Sequence, residues 1–148
     1  MPTHSETRPL PYSAQQMYDL VADVAAYPQF LPWCAAARIR SVTDQTDGTQ
    51  VMEADLVISF KVFRERFGSR VVLNSDQKRI DTEYLDGPFK YLKSYWEFKD
   101  TEQGCDVSFY VDFEFKNAVL QKIIGVVFNE AMHRIVRAFE SRAKDLYG

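Results

Sequence analysis

The sequence predicts an α+β fold in which a curved antiparallel sheet of six to seven strands wraps around a long C-terminal helix. Apolar residues recur at every second position from about residue 35 to residue 115, as in strands with one apolar and one solvated face. After Asn117 they recur at helical spacing to the end of the chain. Such a helix would be about 45 Å long and needs a broad concave partner to cover its apolar side.

The first part of the chain predicts a strand and one or two short helices. Residues 3–10 alternate weakly and are typical of an edge strand. Ser13 followed by Gln16 is a capping-box signature, which predicts a helix over about 14–24. Residues 25–30 predict a further short helical turn, which Pro28 and Pro32 break.

Six strands are expected in the middle of the chain, separated by turn signals. Asp47-Gly48, Ser75-Asp76, Asp86-Gly87-Pro88 and Glu102-Gln103-Gly104 supply four of the turns. The strands are expected near residues 36–44, 52–62, 67–73, 79–85, 92–98 and 105–115. Asn117 is the predicted N-cap of the last helix, and Gly148 stands where that helix should stop.

Composition indicates an ordinary globular protein and excludes several classes. The 148 residues predict a single domain over 1–148, and 46% hydrophobic with 26% charged residues argues against disorder. A net charge of −3 is opposite to the basic footprint of most nucleic-acid binders, so no DNA partner is expected. No apolar run is long enough to span a membrane. Because no metal-ligand spacing or nucleotide-binding motif occurs, neither metal nor cofactor is expected.

Three stretches of the chain are similar to one protein family. They are Tyr27-Pro28-Gln29-Phe30-Leu31-Pro32-Trp33-Cys34, Gly87-Pro88-Phe89-Lys90-Tyr91-Leu92 with Trp96 and Phe98, and the C-terminal segment 138–148. Together with the order of elements, they resemble the coenzyme Q-binding START-domain proteins of the helix-grip, polyketide cyclase/dehydrase-like superfamily. The bacterial relatives of that family include ribosome-association toxins.

This resemblance implies a non-enzymatic function and leaves more than one partner open. The first expectation is binding and delivery of a hydrophobic ligand, ubiquinone above all, between the sheet and the long helix, in support of respiration or quinone biosynthesis. A ribosome-associated regulator that blocks subunit association is the alternative, and a polyketide aromatase/cyclase is a further one. The implied location is the cytoplasm, peripheral to the inner face of the membrane.

The candidate cavity residues are those whose phase in strand or helix points towards the core. Ser69, Thr82 and Ser94 share the phase of apolar neighbours, which is unusual in a dry core and favours a ligand or water partner. Arg142 lies among apolar helix positions, where it could meet a quinone carbonyl or pair with a carboxylate such as Glu6 or Asp81. The predicted ligand-binding set is Phe30, Trp33, Phe60, Phe67, Ser69, Ser94, Trp96, Phe109, Phe128, Met132, Ile135 and Arg142.

Catalytic groups are scarce in this set. Glu65 is the one acid with inward phase, and a charge at the cavity rim is its expected role. Cys34 and His133 are the only conceivable thiol–imidazole pair, but His133 falls on the polar face of the helix. We therefore expect no catalytic residues.

Two turns carry aromatic residues next to cations, where small polar residues are usual. Val62 and Phe63 lie between two predicted strands, and Phe89 and Tyr91 follow the Gly87-Pro88 turn. Rings flanked by Lys or Arg suit transient docking on an anionic membrane surface. The alternative is that these rings fold back and plug the mouth of the cavity.

Overall fold

The computed structural model describes residues 3–60 and 63–148 as one sheet with three helical segments. The strands are β1 (Thr3–Leu10), β2 (Cys34–Asp44), β3 (Gln50–Phe60), β4 (Phe63–Asn74), β5 (Arg79–Asp86), β6 (Phe89–Thr101) and β7 (Gly104–Phe115). The helices are α1 (Ala14–Ala22), a 3₁₀ helix (Val24–Gln29) and α2 (Ala118–Tyr147). The predicted fold class is confirmed.

All seven strands form one antiparallel sheet in the order β1-β7-β6-β5-β4-β3-β2. Burial alternates along the whole of β7, as the sequence predicted. Irregular register occurs in β2, in β4 between Gly68 and Ser69, and in β6 between Phe89 and Tyr91. Bulges of this kind bend strands and increase their twist, so the sheet is concave.

The capping residues foreseen in the sequence begin both long helical segments. Ser13 Oγ accepts from the Gln16 amide and Gln16 Oε1 accepts from the Ser13 amide, both at 3.0 Å, which completes a capping box on α1. Asn117 Oδ1 accepts from the Leu120 amide at 3.0 Å and caps α2. These bonds satisfy orphan amides and fix where the helices start.

Helix α2 packs over the concave face towards one side of the sheet. Its contacts are with β7, β1 and α1, and the Tyr147 hydroxyl donates to the Gln16 carbonyl oxygen at 3.1 Å. Leu146 continues the helical spacing of the apolar residues of α2, yet it is 52% exposed. No described helix combines the length and the hydropathy that a bilayer crossing requires.

Candidate functional site

A cavity of about 270 Å³ lies between the concave face of the sheet, the 3₁₀ helix and α2. Its walls are almost entirely apolar, with side chains from β3 to β7 on one side and from α2 on the other. The inward residues Leu56, Ile58 and Phe60 of β3 are only half-buried, because they face this space and not a packed neighbour. Among the predicted residues, those that line it are Trp33, Phe60, Phe67, Ser69, Ser94, Trp96, Phe109, Met132 and Ile135.

Two predicted aromatic residues lie outside the cavity wall. Phe128 is buried, but its ring packs edge-on and tilted against His4 and Phe113, where α2 crosses β1 and β7. Phe30 packs against Phe139 at 5.2 Å between ring centroids. Both therefore support residues of the wall from behind.

Arg142 also lies outside the cavity, and its predicted carboxylate partner was wrong. Its Nη2 donates to Gln29 Oε1 at 2.9 Å, and its guanidinium lies 5.2 Å from the centroid of the Phe30 ring. Glu6 instead pairs with His4 and Arg8, and Asp81 with Arg79. Arg142 thus fastens α2 to the end of the 3₁₀ helix through an amide and a cation–π contact.

Polar atoms inside the cavity form a short band across three strands. Ser69 is 2% exposed and its Oγ donates to the Ala54 carbonyl oxygen at a long 3.4 Å. Thr82 and Ser94 face each other across β5 and β6, and both line the cavity. Neither hydroxyl forms a hydrogen bond with any described residue. Two free hydroxyl groups in an apolar wall are available to a ligand acceptor.

Trp33 and Phe60 are half-buried and line the cavity side by side. Their rings meet edge to face, with centroids 5.7 Å apart. Trp33 has a φ of 65°, which is rare for a bulky residue. Such a backbone conformation costs of order 1–3 kcal/mol, which the surrounding contacts must offset. The Trp33 carbonyl accepts from the Ser59 amide at 2.8 Å, which ties this strained residue to the end of β3.

The segment before β2 supplies lining residues that sequence reasoning missed. Tyr27 is half-buried and lines the cavity, and its hydroxyl donates to the Val21 carbonyl oxygen at 2.5 Å. Burial raises the pKa of Tyr27 well above its usual value, so it stays neutral. Leu31 and Pro32 also line the cavity. The Tyr27-Pro28 and Leu31-Pro32 pairs indicate a restricted, turn-like backbone. The segment has no periodicity, so the sequence does not indicate which of its side chains face the cavity.

The aromatic residues proposed for membrane docking lie elsewhere than expected. Phe89 is 3% exposed, begins β6 and stacks on Phe115 at 4.6 Å between centroids, so its prediction as an exposed loop residue was wrong. Phe63 lines the cavity and is half-buried. Tyr91 is half-buried, and its hydroxyl donates to Asp112 Oδ1 at 3.1 Å. Val62 lies outside the described residues. The plug alternative therefore describes Phe89 and Phe63 better.

The candidate catalytic groups do not assemble into a reactive site. Glu65 lines the mouth and is exposed, as expected for a rim charge. Burial raises the pKa of the Cys34 thiol, and its Sγ lies 3.7 Å from the Ala36 carbonyl oxygen. His133 is exposed on α2 and packs against His4, not against the cavity. No histidine and no carboxylate except Glu65 belongs to the described lining.

A concave antiparallel sheet closed by one long helix, with an apolar cavity between them, defines the structural class of this protein. The chain belongs to the family described as polyketide cyclase/dehydrase and lipid transport, which matches residues 10–140.

Curated relatives carry two different kinds of name. The ribosome association toxin RatA of Rickettsia prowazekii is 40% identical over 99% of both chains. The mitochondrial coenzyme Q-binding protein COQ10 homolog B of Xenopus laevis is 34% identical over 98% of this chain and 59% of its own.

Solved structures agree on the fold. An 18 kDa protein of Caulobacter crescentus superposes with a TM-score of 0.82 at 34% identity, over 100% of this chain and 99% of the other. The Zhui aromatase/cyclase of Streptomyces sp. R1128 superposes with a TM-score of 0.78 at 16% identity, over 97% and 93% of the two chains. At that identity the cyclase is similar in fold alone.

Proposed function

We propose that this protein binds a hydrophobic ligand, most readily a prenylquinone such as ubiquinone, without transforming it. The observation that carries the proposal is the 270 Å³ apolar cavity with free hydroxyl groups in its wall. Apolar walls that face an empty space lose packing contacts on that side, so an apolar occupant is favoured.

The cavity suits a quinone headgroup better than a whole prenylquinone. Its volume is near the lower end for small-molecule sites, so a long isoprenoid tail would leave through the mouth. Trp33, Phe60 and Phe63 line that mouth and offer the tail an apolar path. Quinone carbonyl oxygens accept hydrogen bonds, and the hydroxyl groups of Thr82 and Ser94 are suitable donors.

Catalysis of a cyclisation is not supported by the site. General acid–base work needs a positioned titratable group within reach of the substrate. Glu65 is the only such carboxylate in the described lining and is exposed at the mouth, far more solvated than the hydroxyl band. We infer that the protein sequesters or delivers its ligand.

The test is binding of a short-chain ubiquinone analogue to the combined variant Thr82→Val, Ser94→Ala. Each lost hydrogen bond should lower the affinity about threefold to tenfold. Thr43→Val is the matched control, because Thr43 is exposed on β2 and away from the cavity. Unchanged affinity in the combined variant would mean that the headgroup does not reach this band.

A ribosomal subunit is the second candidate partner, favoured by the RatA relatives that match nearly the whole chain. The sequence offers a local basic patch for it on β4 and β6, made of Arg64, Arg66, Arg70, Lys90 and Lys93. Arg66, Arg70 and Lys90 each form an ion pair with a neighbouring carboxylate. Arg64 and Lys93 form no ion pair with any described residue, so these two cations are the ones available to a phosphate backbone.

Sucrose-gradient co-sedimentation with purified subunits tests this second function. Because the proposed ligand site is internal, the combined Thr82→Val, Ser94→Ala variant should sediment like the wild type. Failure of the wild-type protein to sediment with either subunit would exclude the ribosome and leave the quinone proposal standing.

A further inference from the structure

His4, Glu6 and His133 meet where the edge strand β1 lies against the middle of α2. One ligand atom from each lies within 4.8 Å of the other two. His4 Nε2 is 2.7 Å from Glu6 Oε1, and the two imidazole rings meet edge to face at 5.5 Å between centroids. Spacing along the chain could not predict this group, because Glu6 and His133 are 127 positions apart in the sequence.

We propose that these three residues bind a late first-row divalent metal ion, with Zn²⁺ as the best fit. Two imidazole nitrogens and one carboxylate are a ligand set that zinc uses with a fourth, open position. Tetrahedral bonds of 2.0–2.2 Å place ligand atoms about 3.4 Å apart. Shifts of about 1 Å from the present positions satisfy this, and the exposed His133 side chain is free to make the largest one.

The surroundings orient the ligands without blocking the site. Arg8 Nη2 lies 3.4 Å from Glu6 Oε2, which leaves Oε1 directed at His4. Arg8 Nη1 also lies 3.2 Å from Glu140 Oε2, so the nearby cation is itself shared with a second carboxylate. The metal would replace the hydrogen shared by His4 and Glu6. Because His133 is exposed, a fourth position on the ion would be open to water.

Metal binding at this point would fasten α2 to the sheet behind the cavity. His4 packs on Phe109 and Phe128, with ring centroids 6.2 and 6.4 Å apart. Phe109 lines the cavity, so the proposed site lies one residue layer from the ligand space. Ligand binding and metal binding nevertheless use different atoms, so either can occur alone.

The test is a calorimetric titration of Zn²⁺ into tag-free protein stripped with a chelator. We expect one ion per chain. Loss of residues that merely orient a metal ligand costs 10–100-fold in affinity, so His133→Gln, which removes a ligand, should cost about 100-fold or more. His133 is exposed, so the variant should fold. Glu6→Gln removes the proposed carboxylate ligand on β1 and should lower the Zn²⁺ affinity in the same way.

Two controls separate this site from adventitious binding. Asn129→Gln, one turn before His133 and exposed, should leave Zn²⁺ affinity unchanged. Cys34→Ser should also leave the Zn²⁺ affinity unchanged. Cys34 is the more exposed of the two cysteines, and it lines the cavity and is not part of the proposed metal site. In the Co²⁺-loaded protein, the visible absorption of a tetrahedral site should appear and should be lost in His133→Gln. Absence of binding, or one-to-one binding that survives His133→Gln, would overturn the proposal.

Discussion

Replacing Ala131 with leucine distinguishes an open ligand cavity from a packed core. Ala131 is 2% exposed on α2 and lines the cavity. Leucine adds three carbons, worth up to about 2 kcal/mol if they enter empty apolar space. Helix propensity changes little. We therefore expect Ala131→Leu to raise the free energy of unfolding of the ligand-free protein by about 1–2 kcal/mol.

Ala143→Leu is the matched control on the same helix. Ala143 is fully buried and does not line the cavity, so the added carbons have no space. Overpacking of this kind costs typically 1–3 kcal/mol. The same substitution should thus change stability in opposite directions at two positions of α2.

Urea denaturation followed by circular dichroism measures both variants after removal of bound lipid, because an occupant would stabilise the wild type alone. Ala131→Leu should raise the midpoint with no change in the denaturant slope. It should also lower the affinity for the quinone at least about tenfold, because the leucine side chain occupies part of the ligand space. A tenfold loss of affinity corresponds to about 1.4 kcal/mol of binding free energy. An Ala131→Leu protein destabilised as much as Ala143→Leu would refute the open cavity.

Three further predictions follow from the same geometry. A ubiquinone analogue should quench tryptophan emission saturably, because Trp33 and Trp96 both line the cavity. Trp96→Phe should remove the larger share of this quenching and leave the circular dichroism spectrum unchanged. Ile135→Arg should abolish saturable quenching, because it places a charge against the apolar wall, and retained affinity would mean that this face of α2 is misplaced. Hydrogen bonds from Arg40, with a smaller effect of Arg66, lower the pKa of Asp55 in the folded protein. The stability that this pair contributes is present above about pH 4 and is lost as the pH falls through the folded-state pKa. Asp55→Asn should therefore weaken the loss of stability in acid, measured by urea denaturation at several pH values.

Periodicity predicted the strands and the long helix because each buries one face. The alternation along β7 and the caps at Ser13 and Asn117 were all readable from neighbouring residues. Inward phase also predicted that Trp96 and Phe109 line the cavity. These features depend only on contacts that repeat within an element.

Features that depend on where separate elements meet could not be predicted in this way. Phe128 is one turn before Met132, but its ring packs against His4 and Phe113 and does not line the cavity. Phe89 follows a turn signal, yet the bulge that begins β6 turns its ring inwards. The His4–His133 contact joins the two ends of the chain. Phase gives the face of a residue, and only the tertiary structure gives what lies opposite.

Mass spectrometry of the organic extract from natively purified protein tests whether the cavity holds a hydrophobic ligand. The Ala131→Leu variant, purified in parallel, measures lipid that binds outside the cavity. We expect a prenylquinone at close to one molecule per chain in the wild type and a much smaller amount in the variant. Equal amounts in both proteins, or no hydrophobic molecule in the wild type, would contradict a ligand in this cavity.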